Sequence, residues 1–403
     1  MLLMTSGNNA YTLYYHLKYF KKLQMKPISI LFVVLFQTVL WSQESFVIKD
    51  VTLFDGEQVI TKTSVLVRDG TITTVAKKIK GDYKVIDGAG KFLMPALTNC
   101  HVHTWGVGQL QEAAQAGVLN LLDMHGAEPF QDNMKKASTA STHARLYTAG
   151  YAATAPGGHG TQYGFPVPTL EKPADASQWV TDRVTAGADH IKIIVEPWKN
   201  TISHQTAKAI IDEAHKAHKV AVVHISKEED AYQVLANGAD GLVHIWTDTT
   251  MSDERIDALT ANNHDFFIIP TVLTNVLVQT AYFGKTEGEA AIVAKQLQEE
   301  VKRLYDAGVP ILAGTDPPNA NINMGTDLYK ELDYFSKAGL PPLAVLQSAT
   351  SLPADVFAIG KVGYIKEGYI ADLLLLDKNP IEDIQNLDTI AMIWKAGTLV
   401  IPN

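Results

Sequence analysis

Eight short apolar segments alternate with longer amphipathic ones through the middle of this chain, and that alternation restricts the fold more than any other feature. The longer segments have helical periodicity, as in Ser203–His218 and Gly288–Ala307. Eight strand–helix units over about 260 residues are typical of an α/β fold, the (β/α)8 TIM barrel. The predicted strands are Phe92–Leu97, Val118–Met124, Arg145–Gly150, His190–Val195, Val220–Ile225, Gly241–Ile245, Phe266–Thr271 and Ile311–Gly314.

An open, doubly wound sheet is the alternative arrangement for the same alternation. Such sheets often carry a Gly-x-Gly-x-x-Gly turn after the first strand, where a dinucleotide binds. No such turn follows Phe92–Leu97. Eight parallel strands also close readily, so we favour the barrel.

The two ends of the chain have a different pattern from its middle. Residues 44–91 contain short alternating strands separated by Asp-Gly turns, and residues 360–403 look alike, with predicted strands such as Lys361–Ile365 and Ala371–Asp377. Half-sheets at opposite ends of a chain can complete one another. We therefore expect a small composite β-sandwich domain from 44–91 and 360–403, beside a barrel over 92–359.

The first 43 residues have the pattern of a targeting segment. Met25 and Lys26 precede a 13-residue apolar core, Ile28–Leu40, which ends near the small residue Ser42. This arrangement is typical of a secretory signal peptide, and the core is short for a membrane span. We expect a signal peptide at 25–43 behind an upstream extension, and a periplasmic or secreted protein without stable membrane association after cleavage. An uncleaved anchor is the alternative.

Composition excludes several classes of partner. The net charge is −9, which disfavours nucleic acid and anionic membranes. The single cysteine, Cys100, excludes an internal disulfide and a cysteine-rich metal site. A small-molecule substrate and a homo-oligomeric assembly are both compatible with the sequence.

Polar residues interrupt the apolar strands near their carboxyl ends. His101 and His103 are two positions apart, so in an extended strand they project to the same side. Each residue taken alone has an ordinary structural explanation, such as a core histidine or a helix cap. A barrel would nevertheless collect them all at one mouth. The candidate metal ligands are His101, His103, Lys192, His224, His244 and Asp316.

The residue types indicate the metal. Four imidazoles and a carboxylate without thiolate suit Zn²⁺ best, or Mn²⁺, Fe²⁺ or Co²⁺, and argue against Ca²⁺ and Mg²⁺. Lys192 does not fit as an ammonium, which has no lone pair. It could bind as a free amine, or as a carbamate, whose carboxylate could bridge two metals and make the site binuclear.

A hydrolytic mechanism follows from such a site. A water bound to zinc has a pKa of about 7, so hydroxide is available near neutral pH to attack a polarised carbonyl. Asp316 is placed to take the water's proton and deliver it to the leaving nitrogen.

Motifs along nearly the whole predicted mature chain resemble the amidohydrolase superfamily, in particular its exported branch similar to imidazolonepropionases and prolidases. They are Leu53–Gly56, Val65–Ile72, Ile86–Gly90, Leu93–Leu97, His101–His103, the Ile-Lys-Ile around Lys192, His224, His244, Gly314–Asp316 and Gly368–Pro380. The resemblance implies that His101, His103 and Asp316 bind the buried metal. It also implies that His224 and His244 bind a second metal and that carboxylated Lys192 bridges the two. Ala96 and Asn99 depart from the family's usual Gly and Asp before the His-x-His.

The substrate is less constrained than the chemistry. The glycine-rich loop Pro156–Pro166 should cover the site, and His159 and Tyr163 are candidate substrate contacts, although a structural turn explains them equally well. The resemblance implies cleavage of a C–N amide bond in a dipeptide or N-acyl amino acid. Two alternatives remain: a mononuclear cyclic-amide hydrolase or deaminase, and an exported binding protein that has lost catalysis.

Overall fold

The computed structural model describes residues 45–261 and 265–400, so the predicted signal peptide and upstream extension lie outside the described residues. In chain order the strands are β1 Phe46–Phe54, β2 Val59–Arg68, β3 Thr71–Ala76, β4 Lys84–Asp87, β5 Phe92–Pro95, β6 Leu97–Val102, β7 Val118–Asp123, β8 Arg145–Thr148, β9 Ile191–Ile194, β10 Ala221–His224, β11 Gly241–Val243, β12 Phe267–Ile269, β13 Leu373–Leu376, β14 Ile390–Lys395 and β15 Thr398–Leu399.

Eleven α-helices are assigned between residues 45 and 400, nine of them after β8 and before β13. They are α1 Val107–Gln115, α2 Glu128–Ala137, α3 Ala176–Thr185, α4 His204–Lys216, α5 Glu228–Ala236, α6 Asp253–Ala261, α7 Val272–Ala281, α8 Glu287–Asp306, α9 Asp327–Ala338, α10 Pro342–Gln347 and α11 Ser351–Val356. None of the helices in these residues is both long enough and apolar enough to cross a bilayer.

Strands from both ends of the chain form one eight-stranded sheet, which we call the terminal sheet. Its order is β15-β14-β13-β5-β1-β2-β3, with β4 beside β1. The join is the antiparallel pair β5–β13, in which Leu93 faces Leu375. Apolar side chains such as Val51, Leu373 and Trp394 form its own core. The predicted strand Lys361–Ile365 is wrong, because these residues have no strand conformation.

The predicted first barrel strand, Phe92–Leu97, is also wrong, because the structure divides it between two sheets. Phe92–Pro95 belongs to the terminal sheet, and the next strand starts at Leu97 and pairs in parallel with β7. The change falls between consecutive residues: the Ala96 amide donates to Asp372, and the Leu97 amide donates to Gly117. An apolar run gives no sign of such a change of partner, because both sheets bury their strands.

The middle of the chain is a parallel α/β arrangement. Strands β6-β7-β8 form one parallel sheet and β9–β12 form another, and a parallel bridge between Ala153 and Ile193 lies between them. The predicted eighth strand, Ile311–Gly314, has only one bridge, from Ile311 to Ile268. Its backbone also contacts β6, because the Cys100 amide donates to the Ala313 carbonyl over 2.9 Å.

Side chains of several of these strands contribute to a small buried apolar cluster, separate from the main core. Cys100, Leu122, Val222 and Ile269 belong to one buried apolar cluster. Burial raises the pKa of the Cys100 thiol, so this residue behaves as a packing group. The candidate ligands His101 and His244 each come directly after a residue of this cluster, and Lys192 is the register partner of Val222.

Candidate metal centre

The six predicted ligands line one cavity of about 40 Å³, which we call the site cavity. They come from β6 and the residue that follows it, from β9 and β10, from the residue after β11, and from the segment that follows α8. The two predicted substrate contacts, His159 and Tyr163, line the same cavity. The full lining is His101, His103, His125, His159, Gly160, Tyr163, Lys192, Ile194, His224, His244, Asp316 and Asn319.

The tightest group of donors in the cavity is His101, His103 and Asp316. Asp316 Oδ1 lies 3.3 Å from His101 Nε2 and 3.1 Å from His103 Nε2. One ligand atom from each of the three residues falls within 4.8 Å of the others. Both nitrogens of His101 and Asp316 Oδ1 are buried without a hydrogen-bond partner in the described part of the chain. Buried polar atoms are rarely left unpaired, so this donor set fits a metal ion.

Backbone packing explains how Asp316 reaches the histidines. The Asp316 amide donates to the His101 carbonyl over 2.7 Å. A Cβ atom at Gly314 would lie 2.9 Å from the His101 backbone nitrogen and 2.5 Å from Ile269 Cγ2, so only glycine permits this approach. Asn99 ties the two segments together, because its Oδ1 accepts from the amides of His101 and Thr315.

Two of the candidate ligands have left-handed backbone. The φ angle is 69° at His244 and 53° at Asp316. Such conformations are uncommon outside glycine and tend to collect at functional sites. His244 Nδ1 lies 2.6 Å from Thr271 Oγ1, and its Nε2 lies 4.0 Å from Asp316 Oδ2. The left-handed turn after β11 thus holds the ring against Thr271 and directs Nε2 into the cavity.

His224, at the end of β10, has a carboxylate partner that the sequence analysis missed. Its Nε2 lies 3.0 Å from Glu196 Oε2, and Ser226 Oγ donates to Glu196 Oε1 over 2.7 Å. A carboxylate next to Nε2 favours the tautomer with the proton there, which leaves a lone pair on Nδ1. Glu196 follows β9, so its position at the end of a strand was the available signal.

Electrostatics keep three of the four histidines in the form that binds metals. Burial lowers the pKa of His101, His224 and His244 well below the ordinary histidine value. Neighbouring positive groups lower it further, including Lys192 in all three cases. These imidazoles are therefore neutral at pH 7 and keep the lone pair that a metal requires.

Lys192 projects from β9 into the same cavity and is only 2% exposed. Within the described residues, no hydrogen bond or ion pair involves its side-chain amine. Burial lowers its pKa to about 7, although Asp316 and Asp123 act in the opposite direction. A substantial fraction of this amine is therefore neutral at physiological pH.

His125 also lines the cavity, but its two nitrogens are already used. Nδ1 accepts from the Ala152 amide over 2.9 Å, and Nε2 lies 3.0 Å from the Gly160 carbonyl. It therefore fastens the glycine-rich loop to the end of β7. Buried Asp123 similarly accepts from the backbone amides of Thr104 and His125. Sequence reasoning missed both, although each lies at or just after the end of a predicted strand.

The glycine-rich loop brings His159 over the candidate ligands. Its ring centroid lies 4.8 Å from that of His224, and the Tyr163 ring follows at 6.3 Å from His159. Burial lowers the pKa of His159 to about 4, so the imidazole is neutral at pH 7. Both side chains thus stand between the candidate ligands and the solvent.

Comparison with known proteins gives this geometry its context. Residues 92–400 match the amidohydrolase family model. An ochratoxinase from Aspergillus niger is 21% identical over 375 residues, covering 76% of this chain and 75% of the relative. A dihydroorotase from Bacillus cytotoxicus is 23% identical over 399 residues, covering 84% and 90%.

Among solved structures, a Xaa-Pro dipeptidase with bound methionine in its active site superposes with a TM-score of 0.76 and 23% identity. The match covers 88% of this chain and 99% of that one. This family generally binds divalent metals, and its relatives here are hydrolases of small molecules. The chain belongs to the amidohydrolase family and is a metal-dependent hydrolase of C–N bonds.

Proposed function

We propose that this enzyme cleaves a C–N amide bond of a small, peptide-like substrate at a binuclear metal centre. The observation that carries the proposal is the compact donor set of His101, His103 and Asp316, in which both His101 nitrogens and Asp316 Oδ1 are buried without a hydrogen-bond partner among the described residues, with Lys192 in the same cavity. Zn²⁺ is the metal that best suits imidazoles and one carboxylate. The ochratoxinase and Xaa-Pro dipeptidase likenesses support an amide substrate.

In this proposal His101, His103 and Asp316 hold the first metal, and His224 and His244 hold the second. When bound, the metals supply an acidified water and a polarised carbonyl. Each remaining task falls to a side chain of this protein. His224 is oriented by the contact of its Nε2 with Glu196, and His244 by the contact of its Nδ1 with Thr271, which leaves the other ring nitrogen of each for a metal.

Lys192, as a carbamate, would supply the carboxylate that could hold both metals. Its neutral amine attacks CO₂, an N–C bond forms, and one proton leaves, which converts the amine into a carboxylate-like anion. The depressed pKa and the lack of a competing hydrogen bond in the described residues both favour this reaction. The product replaces a buried cation, which repels metals, with an anion that binds them.

Asp316 moves the proton. Burial raises its pKa, but the neighbouring His103 and a hydrogen bond from the Asn319 side chain help to outweigh burial, so the net pKa is below its ordinary value. The carboxylate is therefore ionised and able to accept a proton from the attacking water. Asp316 then delivers that proton to the leaving nitrogen.

We also propose that the parallel strands close into a (β/α)8 barrel and that the terminal sheet forms a composite β-domain. Support comes from the hydrogen bonds that join residues 311–316 to both β6 and β12. The domain boundary then falls between Pro95 and Leu97. Export remains a prediction from residues 25–43.

A mononuclear enzyme acting on a cyclic amide or a ring amine is the second candidate. One observation favours it: His101, His103 and Asp316 alone already form a compact donor group. Under this alternative Lys192 is a packed amine without a carbamate.

The test is metal analysis combined with a substrate screen. Protein from Glu44 onward, purified with bicarbonate, should contain about two equivalents of metal and hydrolyse dipeptides or N-acyl amino acids. One equivalent with activity on cyclic amides would favour the mononuclear enzyme. No metal, with no activity after adding Zn²⁺ or Mn²⁺, would contradict hydrolysis and leave a binding protein.

A further inference from the structure

One aromatic side chain of the site cavity, Tyr163, and three others joined to the cavity lining by ring contacts form a group that we call the aromatic collar: Trp105, Tyr163, Phe165 and Trp198. Trp198 is 63% exposed, Trp105 43% and Tyr163 36%, while Phe165 is half-buried. The other tryptophans of the described residues, Trp179, Trp246 and Trp394, are each at most 5% exposed. The exposed indoles are therefore concentrated at the candidate site.

The collar is continuous with the candidate ligands through a series of ring contacts. The His159 ring lies 4.8 Å from His224 and 5.4 Å from Trp198. On the other side Tyr163 lies 6.1 Å from Trp105. Phe165 completes the set at 6.0 Å from Trp105. These separations between ring centroids are in the range of aromatic pairs.

All four residues occupy loops that follow the carboxyl ends of parallel strands. Trp105 comes two residues after His103, Tyr163 and Phe165 lie in the loop after β8, and Trp198 lies in the loop after β9. These loops are where barrel enzymes place their substrate contacts. Contiguous exposed apolar surface at such a position marks a ligand site more often than chance exposure does.

The size of the site cavity locates the rest of the substrate. At about 40 Å³ it has room for no more than a few water-sized groups. This volume is small for an aromatic ring or a long side chain. Groups that flank the scissile bond would extend out of the cavity towards the loops that carry the collar.

We propose that the substrate carries a flat aromatic group beside its scissile amide and that the aromatic collar binds this group by stacking. The proposal rests on the proposed amide hydrolysis at the same site. Trp105 and Trp198 are its specificity-determining residues, because they are the most exposed rings of the collar and contact Tyr163 and His159, respectively.

The test measures binding of compounds that an amide hydrolase cannot cleave. Sulfonamides are suitable compounds, and we use two pairs in which one member has a phenyl ring and the other has a methyl group in its place. N-benzenesulfonylglycine is compared with N-methanesulfonylglycine, and methanesulfonanilide with N-methylmethanesulfonamide. Calorimetry on the metal-loaded enzyme should show at least one ring-bearing compound binding about 10-fold more tightly than its methyl partner. Trp105→Ala and Trp198→Ala should each reduce that preference several-fold.

Ile292→Ala is the matched control, because Ile292 is 61% exposed on α8, outside the collar. It should leave the preference for the ring unchanged. Equal binding of ring and methyl partners, no binding by either ring compound, or a preference that survives both tryptophan substitutions would overturn the proposal.

Turnover separates this proposal from the proposed function. Amide hydrolysis without a preference for rings contradicts the collar and leaves the hydrolase intact. A binding preference for rings that falls in Trp105→Ala and Trp198→Ala, with no hydrolysis of any amide, supports the collar and contradicts the proposed hydrolysis.

Discussion

Two buried lysines in this protein have opposite surroundings. Lys192 is 2% exposed in the site cavity, and its amine has no hydrogen-bond partner among the described residues. Lys395 is 4% exposed at the end of β14, where its Nζ donates to the carbonyls of Ser138 and Ala140 over 2.6 and 2.7 Å. Burial lowers the pKa of both, to about 7 and about 8.

The two lysines differ in the hydrogen-bond partners of their side-chain amines. Lys395 is satisfied by backbone carbonyls, so its role is to join the terminal sheet to the end of α2. Lys192 lacks such partners and lies among imidazoles. Its amine is therefore available to react with CO₂, and the resulting carbamate could bind metal. Burial and a depressed pKa alone therefore do not identify a reactive lysine. The absence of protein partners around the amine distinguishes the two.

The largest effect on catalysis is expected from Asp316, the carboxylate in the site cavity with Lys192. Asp316→Asn should lower kcat by about 10³-fold while metal remains bound, because the amide cannot move the proton. Asp372→Asn is the control, since Asp372 is equally buried but pairs with Arg145 near Lys395. It should cost stability and leave kcat within about twofold of wild type. Steady-state kinetics and metal analysis decide; an active Asp316→Asn enzyme would remove Asp316 from catalysis.

Substituting the lysines themselves sharpens the comparison. Lys192→Met should lose one metal equivalent and lower kcat/KM by about 10²-fold or more. Lys395→Met should keep both metals and activity, but unfold more easily by about 1–3 kcal/mol, because two buried carbonyls lose their donor. Equal effects of the two substitutions on metal content would remove the distinction.

A smaller effect is expected at the carboxylate behind His224. Glu196→Gln should weaken binding of the second metal about 10- to 100-fold, because the amide no longer fixes the proton on Nε2. Glu300→Gln is the control, since Glu300 is buried and accepts from the Trp246 indole away from the site cavity. Competition with a chelator measures the affinities, and unchanged affinity in Glu196→Gln would contradict the orienting role.

The smallest expected effect is the pH dependence that Lys395 gives to stability. Burial and the charge of Arg145 lower its pKa in the fold to about 8, below the unfolded value near 10.5. The unfolded state therefore binds more protons between pH 8 and 10.5, so this contribution to the unfolding free energy rises with pH there, by about 1–3 kcal/mol. Denaturant unfolding at several pH values should show this slope in wild type and not in Lys395→Met. The same slope in both would contradict it.

Sequence reasoning found the candidate ligands because their signal is positional. His101, His224 and His244 each lie near the carboxyl end of a predicted apolar strand, Lys192 interrupts another, and parallel strands bring those ends together. Glu196 was missed because its function depends on a contact with His224 across two loops. Neither hydrophobic periodicity nor strand order contains that contact.

Two of the wrong strand predictions have the same cause, a dependence on tertiary contacts. Phe92–Leu97 is uniformly apolar, so its periodicity could not show that hydrogen bonding changes partner between Ala96 and Leu97. Ile311–Gly314 was expected as a full strand, but one bridge and a few backbone hydrogen bonds hold it in place. Local pattern predicts which residues are buried; tertiary contacts decide which sheet they join.

The most direct test of this account is the number of metal ions per chain in wild type and Lys192→Met, both purified with bicarbonate. A carbamate on Lys192 predicts about two equivalents in wild type and about one in the variant, with the metal held by His101, His103 and Asp316 retained. Lys395→Met, as the matched control, should contain two. Equal metal content in all three proteins would contradict a bridging role for Lys192 and favour a single metal centre.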